Sequence, residues 1–403
     1  MAGAGPITRV PAGNCLKTLT RGAMRPAFWL GNSQLVSVSV VASVLLAQCG
    51  MTTRPQMPTL HLFLPFFQSF PAERHRALFV SGESYAGVYV PLLASRILTH
   101  NAQAKDTEVL PLRAIIVGDG CIGYGVAGGG GSDTMGLLLE YFERAAPDVE
   151  SEALSAARSM CGQQLFQPMS PKDMSAGCRA ALKTLFESIG PFNVYHMNSP
   201  CGPEEQGNWG EGDAFACGSS FALSAYMATL GVQKALHAIP ANATDPVEWK
   251  MWDGDGPNYN ITLADARPQY RQVLAAGVKT LIYNGLSDTA LPFNGAEKWT
   301  KDIGGVVAEP RRLWASGSDV AGHVIEYSNG LTFATIQGAG HLVPADRPVP
   351  AHTMIAAFLS GRSLPIYEGK KCTRLWLGRG WGNFCDEEAE TGTSSDMVNV
   401  IYA

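Results

Sequence analysis

The sequence predicts an α/β fold: a mostly parallel β-sheet flanked by helices, with a helical cap inserted into it. Three observations predict it. Short apolar runs at Ala77-Leu78-Phe79-Val80, Ala114-Ile115-Ile116-Val117, Thr280-Leu281-Ile282-Tyr283 and Leu331–Ile336 read as buried strands, and each leads into a glycine turn. The first is followed by an amphipathic stretch from Val88 to Leu98, giving the strand-turn-helix order of a crossover unit. From Cys121 onward the pattern changes to helical periodicity around Leu137, Leu138, Tyr141 and Phe142, which reads as the inserted cap.

Taken in chain order, residues 1–58 form an atypical N-terminal segment. Arg9, Lys17, Arg21 and Arg25 precede an apolar stretch from Leu35 to Ala47, the layout of a secretory signal, with a non-native start as the competing reading. A transmembrane helix needs about 20 apolar residues, so this serine-rich run predicts no stable span. Residues 59–122 read as the first part of the core. Leu60, Phe63, Leu64, Phe67 and Phe70 make a helical stripe, in which Pro65 marks a start or a kink because an interior proline costs about 3 kcal/mol.

Residues 123–240 read as the cap. Gly128 to Gly131 are a flexible joint, and without a following Lys-Ser/Thr they do not make a phosphate loop. Of the nine cysteines, Cys161, Cys178, Cys201 and Cys217 crowd into this insertion, where disulfides would staple a subdomain with little core. Four cysteines allow three pairings, which the sequence leaves open. With no Cys-x-x-Cys and no histidine pair at ligand spacing, no metal site is predicted. Pro240 to Asp265 leads back to the sheet, residues 241–366 complete the core, and residues 367–403 read as a mobile tail, acidic and rich in Ser and Thr from Asp386 to Asp396.

The chemistry-bearing residues stand where these strands end. Ser84 lies in Gly82-Glu83-Ser84-Tyr85-Ala86-Gly87, between an apolar run and an amphipathic one, as a nucleophile elbow requires. So sharp a turn tolerates only small neighbours, which Gly82, Ala86 and Gly87 supply. Asp288 follows the run ending Tyr283-Asn284-Gly285, and His341 follows Gln337-Gly338-Ala339-Gly340, each just beyond a strand. Asp119, by contrast, reads as a turn residue, and His323 and His352 as structural. The chain order Ser, Asp, His is the one α/β-hydrolases use.

These segments, with Leu342-Val343-Pro344, Asp346 and Pro348, resemble the serine carboxypeptidases of the α/β-hydrolase fold over roughly Thr59 to Ile366. The resemblance implies acyl transfer through a covalent intermediate: Ser84 attacks the last peptide carbonyl, His341 relays the proton and Asp288 orients the imidazole. It assigns the backbone N–H of Tyr85 to the oxyanion hole, and to Glu83, held protonated, the recognition of the substrate's terminal carboxylate. Such an enzyme should prefer acid. The family's Gly-Gly-Pro-Gly-type loop, source of the second oxyanion donor and the carboxylate-binding asparagine, has no counterpart before Ser84. Two alternatives therefore stand beside a carboxypeptidase acting on peptide C termini: an acyltransferase in which an alcohol resolves the acyl-enzyme, and a truncated, non-catalytic homologue. Leu291 and Leu342 are expected to line the pocket, and no cofactor is implied.

Composition narrows the classes further. At 46% hydrophobic and 16% charged, the chain can bury a large core, and a net charge of −5 without basic clusters argues against nucleic acid. The sequons at Asn242 and Asn260, together with the cysteines, point to the secretory pathway, with a secreted or a vacuolar/lysosomal destination.

Overall fold

The computed structural model describes residues 35–39, 66–123, 134–145, 151–166, 174–190, 192–199, 225–249, 263–368, 372–377 and 380–385. Pro65, the four glycines, Cys201, Cys217, Asn260 and the acidic end from Asp386 lie outside them, as does most of the N-terminal segment. The chain divides into two compact units: Met1–Gly82, Leu93–Ala114 and Gly218–Thr262 make one, and Glu83–Leu92, Ile115–Cys217 and Leu263–Ala403 the other. No helix among the described residues is long and apolar enough to cross a membrane.

Strand β1 (Leu35–Ser39) pairs in parallel with β2 (Ala77–Glu83), Leu35 opposite Ala77 and Ser39 opposite Ser81. The start of the apolar stretch read as a signal or non-native start therefore forms a strand, as an alternation of Val and Ser favours. Helical residues 66–69 precede β2, with Phe67 buried. Helix α1 (Ala86–Asn101) follows β2 and leads to β3 (Leu112–Gly118). Asn101 closes the connection by exchanging two 2.8 Å hydrogen bonds with the Leu110 backbone.

Beyond β3 come three helices, α2 (Thr134–Ala145), α3 (Ser151–Cys161) and α4 (Ala176–Ile189). The apolar stripe predicted around Leu138, Tyr141 and Phe142 is buried against Leu154, Leu182, Leu185 and Phe192. Each such side chain removed from water contributes about 1.5–3 kcal/mol. The predicted stapling is realised in a Cys161–Cys178 disulfide joining α3 to α4. A short helix α5 (Leu230–Ala235) and then α6 (Arg267–Ala275) lead to β4 (Lys279–Gly285), α7 (Phe293–Gly304), β5 (Val307–Ser316), β6 (Asp319–Tyr327) and β7 (Leu331–Ile336).

The seven-stranded sheet runs β1-β2-β3-β4-β7-β6-β5. Strands β4 and β7 pair in parallel, while β6 runs antiparallel to both β7 and β5. The outcome is the mostly parallel α/β-hydrolase sheet that the sequence predicts. Strand β5 takes the edge, where Pro310 and the charges of Glu309, Arg311 and Arg312 discourage further pairing. Helices α8 (Val343–Asp346) and α9 (Pro348–Leu359) close the core. Part of the expected mobile tail is instead regular: β8 (Cys372–Leu377) and β9 (Gly380–Cys385) form an antiparallel hairpin.

Candidate active site

Strand β2 ends at Glu83, and Ser84 turns the chain with a φ of 61°. That left-handed conformation costs a non-glycine residue about 1–2 kcal/mol and needs external support. The Ser84 amide donates to the Gly118 carbonyl at 2.9 Å, while its carbonyl accepts from Gly87 at 2.9 Å and Cys121 at 3.0 Å. A side chain on Gly87 would strike the Cys121 backbone carbonyl, so the glycine displaced by one place in the motif is the one the close approach demands. Pro91, inside α1, has no N–H to offer the Gly87 carbonyl four residues back. The hydroxyl of buried Tyr270 donates to that carbonyl instead, at 2.9 Å.

Asp288 and His341 meet because their loops abut at a glycine. A Cβ on Gly285 would collide with the Ala339 and Gly340 carbonyls, so only glycine lets the end of β4 pass so close to the turn after β7. The His341 ring donates from Nδ1 to Asp288 Oδ2 at 2.7 Å, both side chains buried. An ionised Asp288 can only accept, which puts the proton on Nδ1 and leaves Nε2 as the basic nitrogen. Asp288 Oδ1 also accepts from the Ala290 and Leu291 amides, at 2.9 and 3.2 Å.

A strap from residues 192–199 braces both loops. Tyr195 accepts the His341 amide at 2.7 Å and its ring lies 4.7 Å from the imidazole. The Val194 carbonyl accepts from the Thr289 and Ala290 amides, Met197 donates to the Ser287 carbonyl, and Asn198 reaches the Ser287 hydroxyl at 2.9 Å. From α2, the Tyr141 hydroxyl donates to the Leu286 carbonyl at 2.9 Å.

The charges at the site are interdependent. Burial raises the Glu83 carboxyl from 4.5 to about 7; nearby His341 pulls it down, and Asp288 and Asp346 push it up. For His341, burial alone would lower the pKa, but the charge of Asp288 and the hydrogen bond to it prevail and raise it above 6.5. Glu83, immediately before Ser84, is thus in electrostatic reach of the Asp288–His341 pair. Tyr85 follows Ser84, its carbonyl accepting from Val88 and Tyr89 as α1 begins, so the helix directs its positive end toward the elbow. Of the pocket-lining candidates, Leu291 is half-buried and Leu342 exposed. Asn242 lies on an exposed turn.

Asp119, read from the sequence as a turn residue, also carries a buried side chain beside Asp288. It does occupy a turn, with a φ of 43°, but its side chain is fully buried and its Oδ1 accepts from the Gly285 amide at 2.9 Å and Asn284 Nδ2 at 3.3 Å. Burial, and then the charge of Asp288, hold its carboxyl well above the usual range. Asp119, Asp288 and His341 bring one polar atom each within 4.8 Å of one another, a cluster with the residue types of a cation site. The imidazole and two amides already engage Asp288, so the geometry reads as a proton-sharing group. The signal in the sequence was an acid directly after a buried strand, the same position that singled out Asp288.

Comparison with known proteins bears on the family and the fold. Residues 52–361 match the family model of the serine carboxypeptidases. Among curated relatives, Serine carboxypeptidase-like 33 of Arabidopsis thaliana is 27% identical over 76% of this chain and 65% of its own length, and Serine carboxypeptidase 1 of Hordeum vulgare is 26% identical over 88% of this chain and 78% of its own. The chain thus spans about two thirds of the length of the first of these relatives. The crystal structure of Kex1(delta)p, a prohormone-processing carboxypeptidase from Saccharomyces cerevisiae, superposes with a TM-score of 0.52 at 20% identity, covering 80% of this chain and 68% of that one, and shares the fold. With its α/β-hydrolase sheet, its serine elbow and a family match across most of its length, the chain belongs to the serine carboxypeptidase family.

Proposed function

We propose that the chain is a serine-type carboxypeptidase that hydrolyses the last peptide bond of peptides and proteins through Ser84, His341 and Asp288. The observation that carries this reading is the buried 2.7 Å hydrogen bond between His341 and Asp288, on loops packed together at Gly285 and in electrostatic reach of Glu83, the neighbour of Ser84. Ser84 Oγ attacks the scissile carbonyl carbon while His341 Nε2 takes the hydroxyl proton. The tetrahedral oxyanion takes a hydrogen bond from the Tyr85 N–H, a contribution of about 2.7–4 kcal/mol in comparable sites. As the intermediate collapses, His341 returns the proton to the departing amino acid. Water, deprotonated by the same imidazole, then attacks the acyl-enzyme and frees Ser84. No metal or cofactor enters these steps.

Glu83 supplies the preference for a chain terminus. As a neutral acid it donates a hydrogen bond to the substrate's carboxylate, whereas its anion would repel that group. With its carboxyl raised to about 7, peptide hydrolysis should decline as pH rises through neutrality. The Cys161–Cys178 disulfide and the exposed sequon at Asn242 support a protein of the secretory pathway, secreted or vacuolar/lysosomal.

Release of the C-terminal amino acid tests the proposal, measured on a peptide and on its C-terminal amide between pH 4 and 9. The peptide should be preferred in acid, and the preference should fade above about pH 7. In Glu83→Gln, whose amide donates at every pH, the peptide profile should flatten. An equal rate on peptide and amide at every pH would remove the carboxypeptidase assignment. Product formed only when an alcohol acceptor is added would replace hydrolysis by acyl transfer, and no turnover under any of these conditions would leave a non-catalytic homologue.

A further inference from the structure

We propose that Asp119 is a positioning residue which keeps a proton and donates it in a hydrogen bond to Asp288, fixing that carboxylate for His341. The inference rests on the triad reading above and extends it by a fourth member. The two hydrogen bonds Asp119 accepts, from Gly285 and Asn284, both end on Oδ1. Its Oδ2 is buried, and no donor among the described residues reaches it; one Asp119 oxygen lies within 4.8 Å of an Asp288 oxygen. Two buried acceptors facing each other repel unless a proton stands between them.

That proton belongs to Asp119. Asp288 is already served by three donors: the Ala290 and Leu291 amides on one oxygen and the imidazole on the other. Asp119 has donors on one oxygen alone, so its other oxygen is where a proton replaces a missing partner. The titratable groups facing Asp119 are Asp288, Glu83, Tyr283 and, in the same cluster, His341. The two acids among them oppose its ionisation. The left-handed turn at Asp119 and its bond to the Gly285 amide join the end of β3 to the start of the Asp288 loop. Loss of the proton would set two anions side by side and loosen Asp288 from the ring it orients.

The test uses the full chain with Asp119→Asn and Asp119→Ala. Infrared spectroscopy at neutral pH, in a Glu83→Gln background that removes the other raised carboxyl, should detect a buried carboxylic-acid carbonyl band that is absent once Asp119→Asn is added and retained when Ser84→Ala is added instead. This readout stands whether or not the protein turns over peptide. Fluorophosphonate, which carries no terminal carboxylate and so bypasses Glu83, reads the catalytic consequence. Asp119→Ala should slow labelling of Ser84 by about tenfold or more, the equivalent of one lost charge-assisted hydrogen bond. Asp119→Asn should recover most of that loss and, unlike the wild type, hold its rate as the medium turns alkaline. Absence of the band, or an Asn variant as slow as the Ala variant, would overturn the proposal. A band without any effect on labelling would overturn the positioning role, and a band in a protein that never labels would uphold the proton while the triad reading fails.

Discussion

Burial raises the Glu83 carboxyl from 4.5 to about 7, so the folded protein holds a proton there that the unfolded chain releases. The sign follows from linkage. Where the native state binds more protons, stability falls as pH rises, so the Glu83 contribution is complete below about 4.5 and is lost by the time pH passes about 7. Asp119 and His341, both raised, act in the same sense upward from their ordinary values of 3.8 and 6.5. His323 acts oppositely. Burial and then Arg311 depress it from 6.5 to about 3, so its contribution is present above 6.5 and is lost as pH falls toward 3. The wild-type curve therefore mixes two slopes, and a difference separates them. Chemical denaturation of wild type and Glu83→Gln at a series of pH values should show the variant losing less stability between pH 4.5 and 7. Parallel curves would show that Glu83 takes no proton on folding.

At the scale of elements, α1 contains an interior proline that its own sequence would count against it. The helix survives because Tyr270, on α6, supplies the hydrogen bond that Pro91 cannot. Tyr270→Phe should leave the Gly87 carbonyl buried without that donor, lowering unfolding stability by about 1–3 kcal/mol in a denaturant titration. No change would show that the carbonyl finds another partner. The elbow itself was legible in the sequence because its causes are local: an apolar strand, small neighbours and an amphipathic continuation. The strap at 192–199 was not. It has no periodicity and acts through backbone carbonyls of Val194 and Tyr195, contacts that residue types do not encode. The β8–β9 hairpin was missed for another reason: Leu375-Trp376-Leu377 is a short apolar run without alternation, next to an acidic end that drew the reading of a tail.

For the whole molecule, the mostly parallel sheet was readable because its buried runs each end in a glycine turn, and the same turns singled out Ser84, Asp288 and His341 as the polar residues beyond them. Asp119 obeyed that same rule and was set aside because no chain-order pattern required it; burial beside Asp288 became visible only once β3 and β4 lay together in the sheet. Membership of the serine carboxypeptidase family accounts for the fold, within which Asp288 and His341 are hydrogen-bonded at 2.7 Å. The central claim is that these residues make Ser84 a nucleophile. Site-mapped labelling by a fluorophosphonate tests it most directly. The account predicts one adduct, on Ser84, that forms rapidly in the wild type and is reduced to the background rate by His341→Ala; no adduct, or one that forms as fast without His341, would contradict it.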